Sequence, residues 1–224
     1  MVESKYATSF VVGIGIGIFA DSIARLLFKK PVFADNFDSY IQGSSGVPIW
    51  HTISGLWEVH NGEMVNVQTP TDPNVASVIG TPVAQNTKCY QYSWDMSGDP
   101  IAGEGEYFRI GFGFFGIESS RGFFLDQSNT TLTLRWGDNE TEENPFRWGV
   151  VQQWTDLSNS STKHSYRVKY DASTTSFEIY KDGALITKTA YPAIKAEFAG
   201  YIGLAAMNAA FFDNIKVEES RISN

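Results

Sequence analysis

Several things are scarce in this chain, and each scarcity excludes something. There is one cysteine in 224 residues, Cys89, so no intrachain disulfide framework exists. Cys89 lies in the apolar-aromatic run TKCYQYSW and is expected as a small buried hydrophobe. Basic residues are outnumbered, 17 Lys and Arg against 25 Asp and Glu, for a net charge of -8. Such a balance argues against nucleic acid as a partner, because phosphate binding needs a basic surface. Only three histidines occur, His51, His60 and His164, and their spacing fits no metal-ligand pattern. No G-x-S-x-G or P-loop is present. Beyond Pro31 there is no convincing amphipathic helix, no internal repeat and no low-complexity tract.

What is present is strand signal. Aromatics make up 14% of the chain and charged residues only 19%, which suits a packed, strand-rich globule. Leu56 to His60 and Glu63 to Val67 flank Asn61-Gly62, a strong short-range hairpin signal. Thr87 to Met96 places Tyr90, Tyr92 and Trp94 on one face. Phe108, Ile110, Phe112 and Phe114 share a face, while Tyr107, Arg109, Gly111 and Gly113 share the other. Glycines inside a strand admit close approach by a ligand or another backbone. Arg121 to Gln127, Thr131 to Trp136, His164 to Tyr170 and Ser176 to Tyr180 continue the pattern, and Lys181-Asp182-Gly183 turns the chain into Ala184 to Thr189. This is about a dozen strands, the size of a two-sheet sandwich.

Two aspartates break the alternation. From Phe211 onward, Phe211, Asp213, Ile215 and Val217 share a parity, which puts Asp213 on the core side. Phe33, Asp35 and Phe37 repeat the pattern at the start of the strand region. An inward carboxylate is costly unless paired or bound to a cation.

The first thirty residues follow another rule. Tyr6 to Ala20 is a run of 15 residues without charge, and apolar character resumes to Phe28 around Asp21 and Arg25. Three readings stand open: a membrane-spanning helix, a secretory signal ending at Val32-Phe33-Ala34, and a helix docking into an assembly. Gly13 and Gly17 have the spacing that lets helices approach in lipid. The expected division is therefore a hydrophobic helix over 1–31 and a β-sandwich over 32–224. Residues 6–28 would meet a membrane or neighbouring helices. Arg25, Lys29 and Lys30 favour a cytoplasmic domain by the positive-inside rule. The sequons at Asn129, Asn139 and Asn159 favour an extracellular or particle-surface domain as glycosylation sites, and the latter is preferred.

The opening DNFDSY, then SGLWEVHNGEMVNV, the KDGALI hairpin and the closing GYIGLAAMNAAFFDNIKVEE resemble the concanavalin A-like lectin/glucanase superfamily over residues 33 to 219. Laminin G-like domains show a similar layout. The resemblance implies an all-β, two-sheet antiparallel jelly-roll sandwich whose first and last strands lie side by side. It also implies a structural Ca2+ beside them, with Asp213 as ligand; Asp35 is the partner chosen from the sequence. Calcium takes hard oxygen ligands of this kind.

Glucanases of this superfamily carry an E-x-D-x-E strand bearing nucleophile and acid/base. Nothing here matches it; the nearest run, Glu104-Gly105-Glu106, lacks the remaining carboxylates. The expectation is a non-catalytic surface protein binding carbohydrate or mediating adhesion. The alternative is a structural subunit of a surface, virion or membrane assembly, with homo-oligomers among its partners. Ligand-binding candidates are Tyr107, Arg109, Arg121 and Arg135 on the polar sheet face, with Trp148 and Trp154 in the loop after the acidic run GDNETEEN. A glycan or protein partner would meet this face.

Overall fold

A computed structural model describes residues 31–67, 77–83, 89–98, 108–114, 122–128, 130–138, 147–158, 160–171, 173–191, 201–207 and 209–220. Residues 108, 109, 111–114, 138, 147 and 148 are described for the backbone only. The expected N-terminal helix, and with it the anchoring of residues 6–28, lies outside the described residues. Among those described, no helix is long and apolar enough to cross a membrane.

Every described element is a strand, and every pairing is antiparallel. In chain order they are β1 (Phe33–Asp35), β2 (His51–Ser54), β3 (Trp57–His60), β4 (Glu63–Asn66), β5 (Ser77–Pro82), β6 (Cys89–Gly98), β7 (Phe108–Phe114) and β8 (Gly122–Gln127). Then come β9 (Thr131–Asp138), β10 (Arg147–Thr155), β11 (His164–Asp171), β12 (Ser176–Lys181), β13 (Ala184–Ala190), β14 (Tyr201–Ala206) and β15 (Ala210–Glu219). An eight-stranded sheet A runs β13-β12-β11-β6-β15-β4-β3, with β1 also on β15. A seven-stranded sheet B runs β10-β9-β8-β7-β14-β5-β2. The first and last strands pair as expected, Phe33 opposite Val217 and Asp35 opposite Ile215.

The core is aromatic. Trp50, Trp57, Trp94, Tyr90, Tyr92, Tyr166, Phe37, Phe123, Phe177 and Phe212 are essentially inaccessible to solvent. Trp94 stacks on Tyr166 at 5.8 Å between centroids, and Phe123 meets Phe177 edge-on at 4.7 Å. The Tyr90, Tyr92, Trp94 alternation and the inward Leu132 and Leu134 are as the period-2 pattern required. The Asn61-Gly62 hairpin also forms, both residues at positive φ (52° and 78°), joining β3 to β4. Cys89 is partly buried rather than fully so.

A buried ion pair joins the layers. Lys181 of β12, 6% exposed, pairs with Asp156 and donates to Ser158 Oγ (2.5 Å) and to Gln127 Oε1 of β8 (3.3 Å). Its ammonium also lies 5.3 Å from the ring centroid of Tyr166, whose hydroxyl donates to the same Gln127 oxygen at 3.0 Å. Burial raises the Asp156 carboxyl, but the bonds from Lys181 and Ser158 outweigh it and hold it below its ordinary value.

Three expectations are corrected. The β15 parity is not continuous: Ala210 and Phe212 face the core before a bulge, Ile215 and Val217 after it. The bulge falls between Asp213 and Lys216, with Asn214 at φ 50°, so the extra residue turns Asp213 away from the core. Second, Arg147–Thr155 is a strand rather than a loop. A bulge between Val150 and Gln152 breaks its alternation and conceals it from a period-2 reading. Third, β2 and β5 were not foreseen; each is short, and neither alternates cleanly.

Candidate functional site

The two outer faces of the sandwich differ in kind. On sheet A the charged side chains partner one another. Glu178 accepts from Lys188 at 2.6 Å and lies 3.5 Å from Lys169, while Tyr180 donates to it at 2.8 Å. The Lys188 bond, then that of Tyr180, pull the Glu178 carboxyl down to about 2. Arg167 lies over the Tyr180 ring at 3.9 Å, and Lys216 pairs with Glu218 at 2.7 Å.

Sheet B carries fewer charges than sheet A. Its seven strands contain no lysine and no glutamate; their ionic residues are Arg109, Arg135 and Arg147 against Asp126 and Asp138. Cross-strand register builds one continuous row over its outer face. His51 of β2 stands opposite Gly80 of β5, Gly80 opposite Gly203 of β14, and Gly203 opposite Gly111 of β7. Gly111 stands opposite Phe124 of β8, Phe124 opposite Arg135 of β9, and Arg135 opposite Val150 of β10. Three adjacent strands thus contribute glycine to one row, leaving a side-chain-free strip whose floor is backbone. A Cβ built on Gly203 meets only the Ile79 carbonyl among the described residues, at 3.8 Å; Gly203 is half-buried, and Gly80 and Phe124 beside it are buried.

The flanks of this strip are aromatic and polar. Phe124 and Tyr201 pack together, apart from the main core. The neighbouring row sets Asp126 opposite Thr133, and Thr133 opposite Gln153. Arg135 donates from Nε to Asp126 Oδ2 at 2.7 Å, with the guanidinium partly exposed and the carboxylate nearly buried. Asp126 thereby fixes Arg135, whose remaining N–H groups are donors on this face. Backbone floor, aromatic flank and oriented hydrogen-bonding groups are what a sugar ring requires: flat surfaces for its C–H faces and directional partners for its hydroxyls.

Of the sequence candidates, Arg135 belongs to this site. Arg109 is opposite both Ala205 and Asp126 in register, and Trp148 is opposite Gly137. Trp154 does not belong: it stands opposite Leu132 and packs against the main core, because the β10 bulge returns it to the inner side. Tyr107 and Arg121 lie outside the described residues, as do the sequons Asn129, Asn139 and Asn159. Sequence reasoning noted the glycines of β7 but missed Gly80 and Gly203, which join them only through pairing.

The structure does not bring the candidate metal ligands together. Asp35 is inward, opposite Ile215, and its oxygens are engaged: Oδ1 by the Phe37 N–H (2.9 Å), Oδ2 by Tyr40 Oη (2.7 Å) and Trp50 Nε1 (2.9 Å). Burial, then the bond to Asp35, keeps the Tyr40 phenol protonated well above its ordinary range. Asp213 is on the outer side, 3.3 Å from Lys163, which also pairs with Glu63. An ammonium thus stands beside Asp213, and N–H and O–H donors surround Asp35. Neither set is a ready oxygen cage for Ca2+. Among the described residues no group of three His, Cys, Asp or Glu could hold a metal.

No protein-family model matches the sequence, and no curated protein matches it. Solved structures do match. A carbohydrate-binding module from Bacillus subtilis is 17% identical with a TM-score of 0.56, covering 79% of this chain and 99% of its own. The carbohydrate recognition domain of Emp46p is 14% identical with a TM-score of 0.57, over 86% of this chain and 99% of that one. The transglycosylase Crh5 is 13% identical with a TM-score of 0.56, over 84% of each chain. At these identities the likeness is one of fold: an antiparallel β-sandwich of the kind found in carbohydrate-binding modules and lectin-like domains.

Proposed function

We propose that this chain is a non-catalytic, concanavalin A-like glycan-binding domain that takes a neutral saccharide across the outer face of sheet B. The carrying observation is the Gly80–Gly203–Gly111 row on a sheet that has neither lysine nor glutamate in its strands. A neutral ligand fits, since the described ionic side chains of the face, Arg135 and Asp126, largely compensate each other. The same composition supports binding over hydrolysis. Two carboxylates about 5–5.5 Å or 6.5–9.5 Å apart are the usual requirement for glycoside cleavage. Asp126 is committed to Arg135, and no glutamate stands in any strand of this sheet. The reading includes membrane anchoring through residues 6–28 with the domain outside, supported by sequence alone: the uncharged run for the anchor and the sequons at Asn129, Asn139 and Asn159 for the side.

Gly203→Val tests the site. A β-branched residue suits a strand, and among the described residues a Cβ on Gly203 meets only the Ile79 carbonyl, at an ordinary contact distance. The variant is therefore expected to melt like the wild type while losing retention on a neutral-glycan array or in affinity electrophoresis. A wild type that binds no saccharide refutes the reading, as does a folded Gly203→Val protein that binds as well as wild type.

A further inference from the structure

We infer that the lateral edge of the sandwich formed by residues 41–56 seats on the surface of a lipid bilayer, an inference that rests on the anchoring of residues 6–28.

This edge is apolar where it is exposed. Ile41 is 81% exposed, Val47 64%, Leu56 52%, and Ile49 and Ile53 44% each. Most monomer surfaces scatter such residues singly; a cluster marks an interaction site. They share one side of the molecule. β2 ends sheet B and β3 ends sheet A, so both sheets present their last strand here. The 41–50 loop lies against β3 through Gly43 N–H to Val59 O (2.8 Å) and Val59 N–H to Ser44 O (2.7 Å). Leu56 bridges the sheets, its carbonyl accepting from the Val67 N–H at 3.0 Å, and Val67 extends the exposed set.

The segment itself carries no charge, and the nearest carboxylate in sequence, Glu58 of β3, is paired with His60 at 2.8 Å. Between Asp38 and Glu58 there is no Asp, Glu, Lys or Arg, in a chain with 42 such residues, 17 basic and 25 acidic. An ionised group is the costliest thing to bring into a bilayer interface, so its absence here matters as much as the aliphatics. Protein partners are typically gripped by exposed Trp, Tyr and Arg anchors. The exposed large hydrophobics here are all aliphatic, which suits insertion among acyl chains.

The position of chain entry selects lipid. Val32 bonds the Val217 carbonyl, and the Phe33 ring lies 6.0 Å from that of Trp50, the residue that follows Ile49. The chain therefore joins the sandwich beside this edge at Val32, and in sequence Val32 follows Lys29-Lys30 and the uncharged run Tyr6 to Ala20. Basic residues shortly before an entry point suit anionic headgroups. Seating this edge leaves the outer face of sheet B turned sideways and open to saccharide.

The test uses the full chain in phosphatidylcholine–phosphatidylserine vesicles carrying nitroxide lipids. Ile53→Cys on this edge and Leu185→Cys on β13, each with Cys89→Ala, are labelled with bimane; far-UV melts confirm that both fold. Expected is loss of most of the Ile53→Cys fluorescence and little change for Leu185→Cys. Equal, weak quenching at both sites in vesicle-bound protein overturns the inference while leaving saccharide binding untouched. Protein that does not join vesicles overturns both the anchor and the inference. Disulfide-linked dimers through the Ile53→Cys position in place of quenching identify a second copy as the occupant, and overturn it too.

Discussion

Replacing Asp156 with alanine strips the counter-ion from an ammonium the fold has enclosed. Lys181 is 6% exposed and Asp156 14%, so water cannot take the carboxylate's place cheaply. Breaking such a pair from one side costs about 3–5 kcal/mol, most of it the uncompensated buried charge. For a domain of this size each 1 kcal/mol moves the melting midpoint by roughly 2–4 °C, so a fall of about 6–20 °C is expected. The opposite truncation is milder. Lys181→Met leaves Asp156 bonded by the Ser158 N–H (3.0 Å) and Oγ (2.7 Å), and its cost is that of a weakened polar group, about 1–3 kcal/mol. The double variant should be less destabilised than the sum, because neither charge is then stranded. Calorimetric or circular-dichroism melts of the four proteins make the cycle. An Asp156→Ala shift no larger than that of an exposed ion pair, about 0.2–1 kcal/mol, refutes the reasoning. So does an additive double variant.

Acid stability follows from the lowered carboxyls. Glu178, held at about 2, contributes stability that is full above its ordinary value of 4.5 and is lost as pH falls toward 2. Asp156 and Asp171 act in the same direction. Glu178→Gln should flatten that limb of a Tm–pH profile, and an unchanged limb counts against the assignment. Trp154→Ala should cost stability, toward the lower end of roughly 3–5 kcal/mol because the ring is only partly buried, and leave saccharide affinity intact in the folded fraction. Lost affinity without lost stability would return Trp154 to the binding face. Chelator should leave the wild-type midpoint unchanged, since N–H and O–H donors already engage Asp35. A calcium-dependent rise in Tm is the contrary result.

The elements that could be read from sequence were those whose signal is local. The Asn61-Gly62 turn needs two residues tolerant of positive φ and gets them. Tyr90, Tyr92 and Trp94 stay inward because β6 alternates without interruption through them. Asp35 was rightly expected inside, flanked in the pattern by Phe33 and Phe37. Apart from the short strands β2 and β5, reading failed where a bulge intervened. One extra residue at Asp213–Asn214 reverses the side on which every later residue falls, and another in β10 hides a strand and moves Trp154 inward. A bulge has no composition of its own; the partner strand and the packing above it select it.

The sequence alone determined the class of molecule, an aromatic, strand-rich sandwich preceded by an uncharged run; the resemblance added that its first and last strands lie side by side. Only tertiary structure decided where a ligand could lie. Gly80, Gly111 and Gly203 are far apart along the chain, and each by itself is an unremarkable strand glycine. They form one strip because β5, β14 and β7 pair in this register, and register is fixed by burying the other face of the same strands.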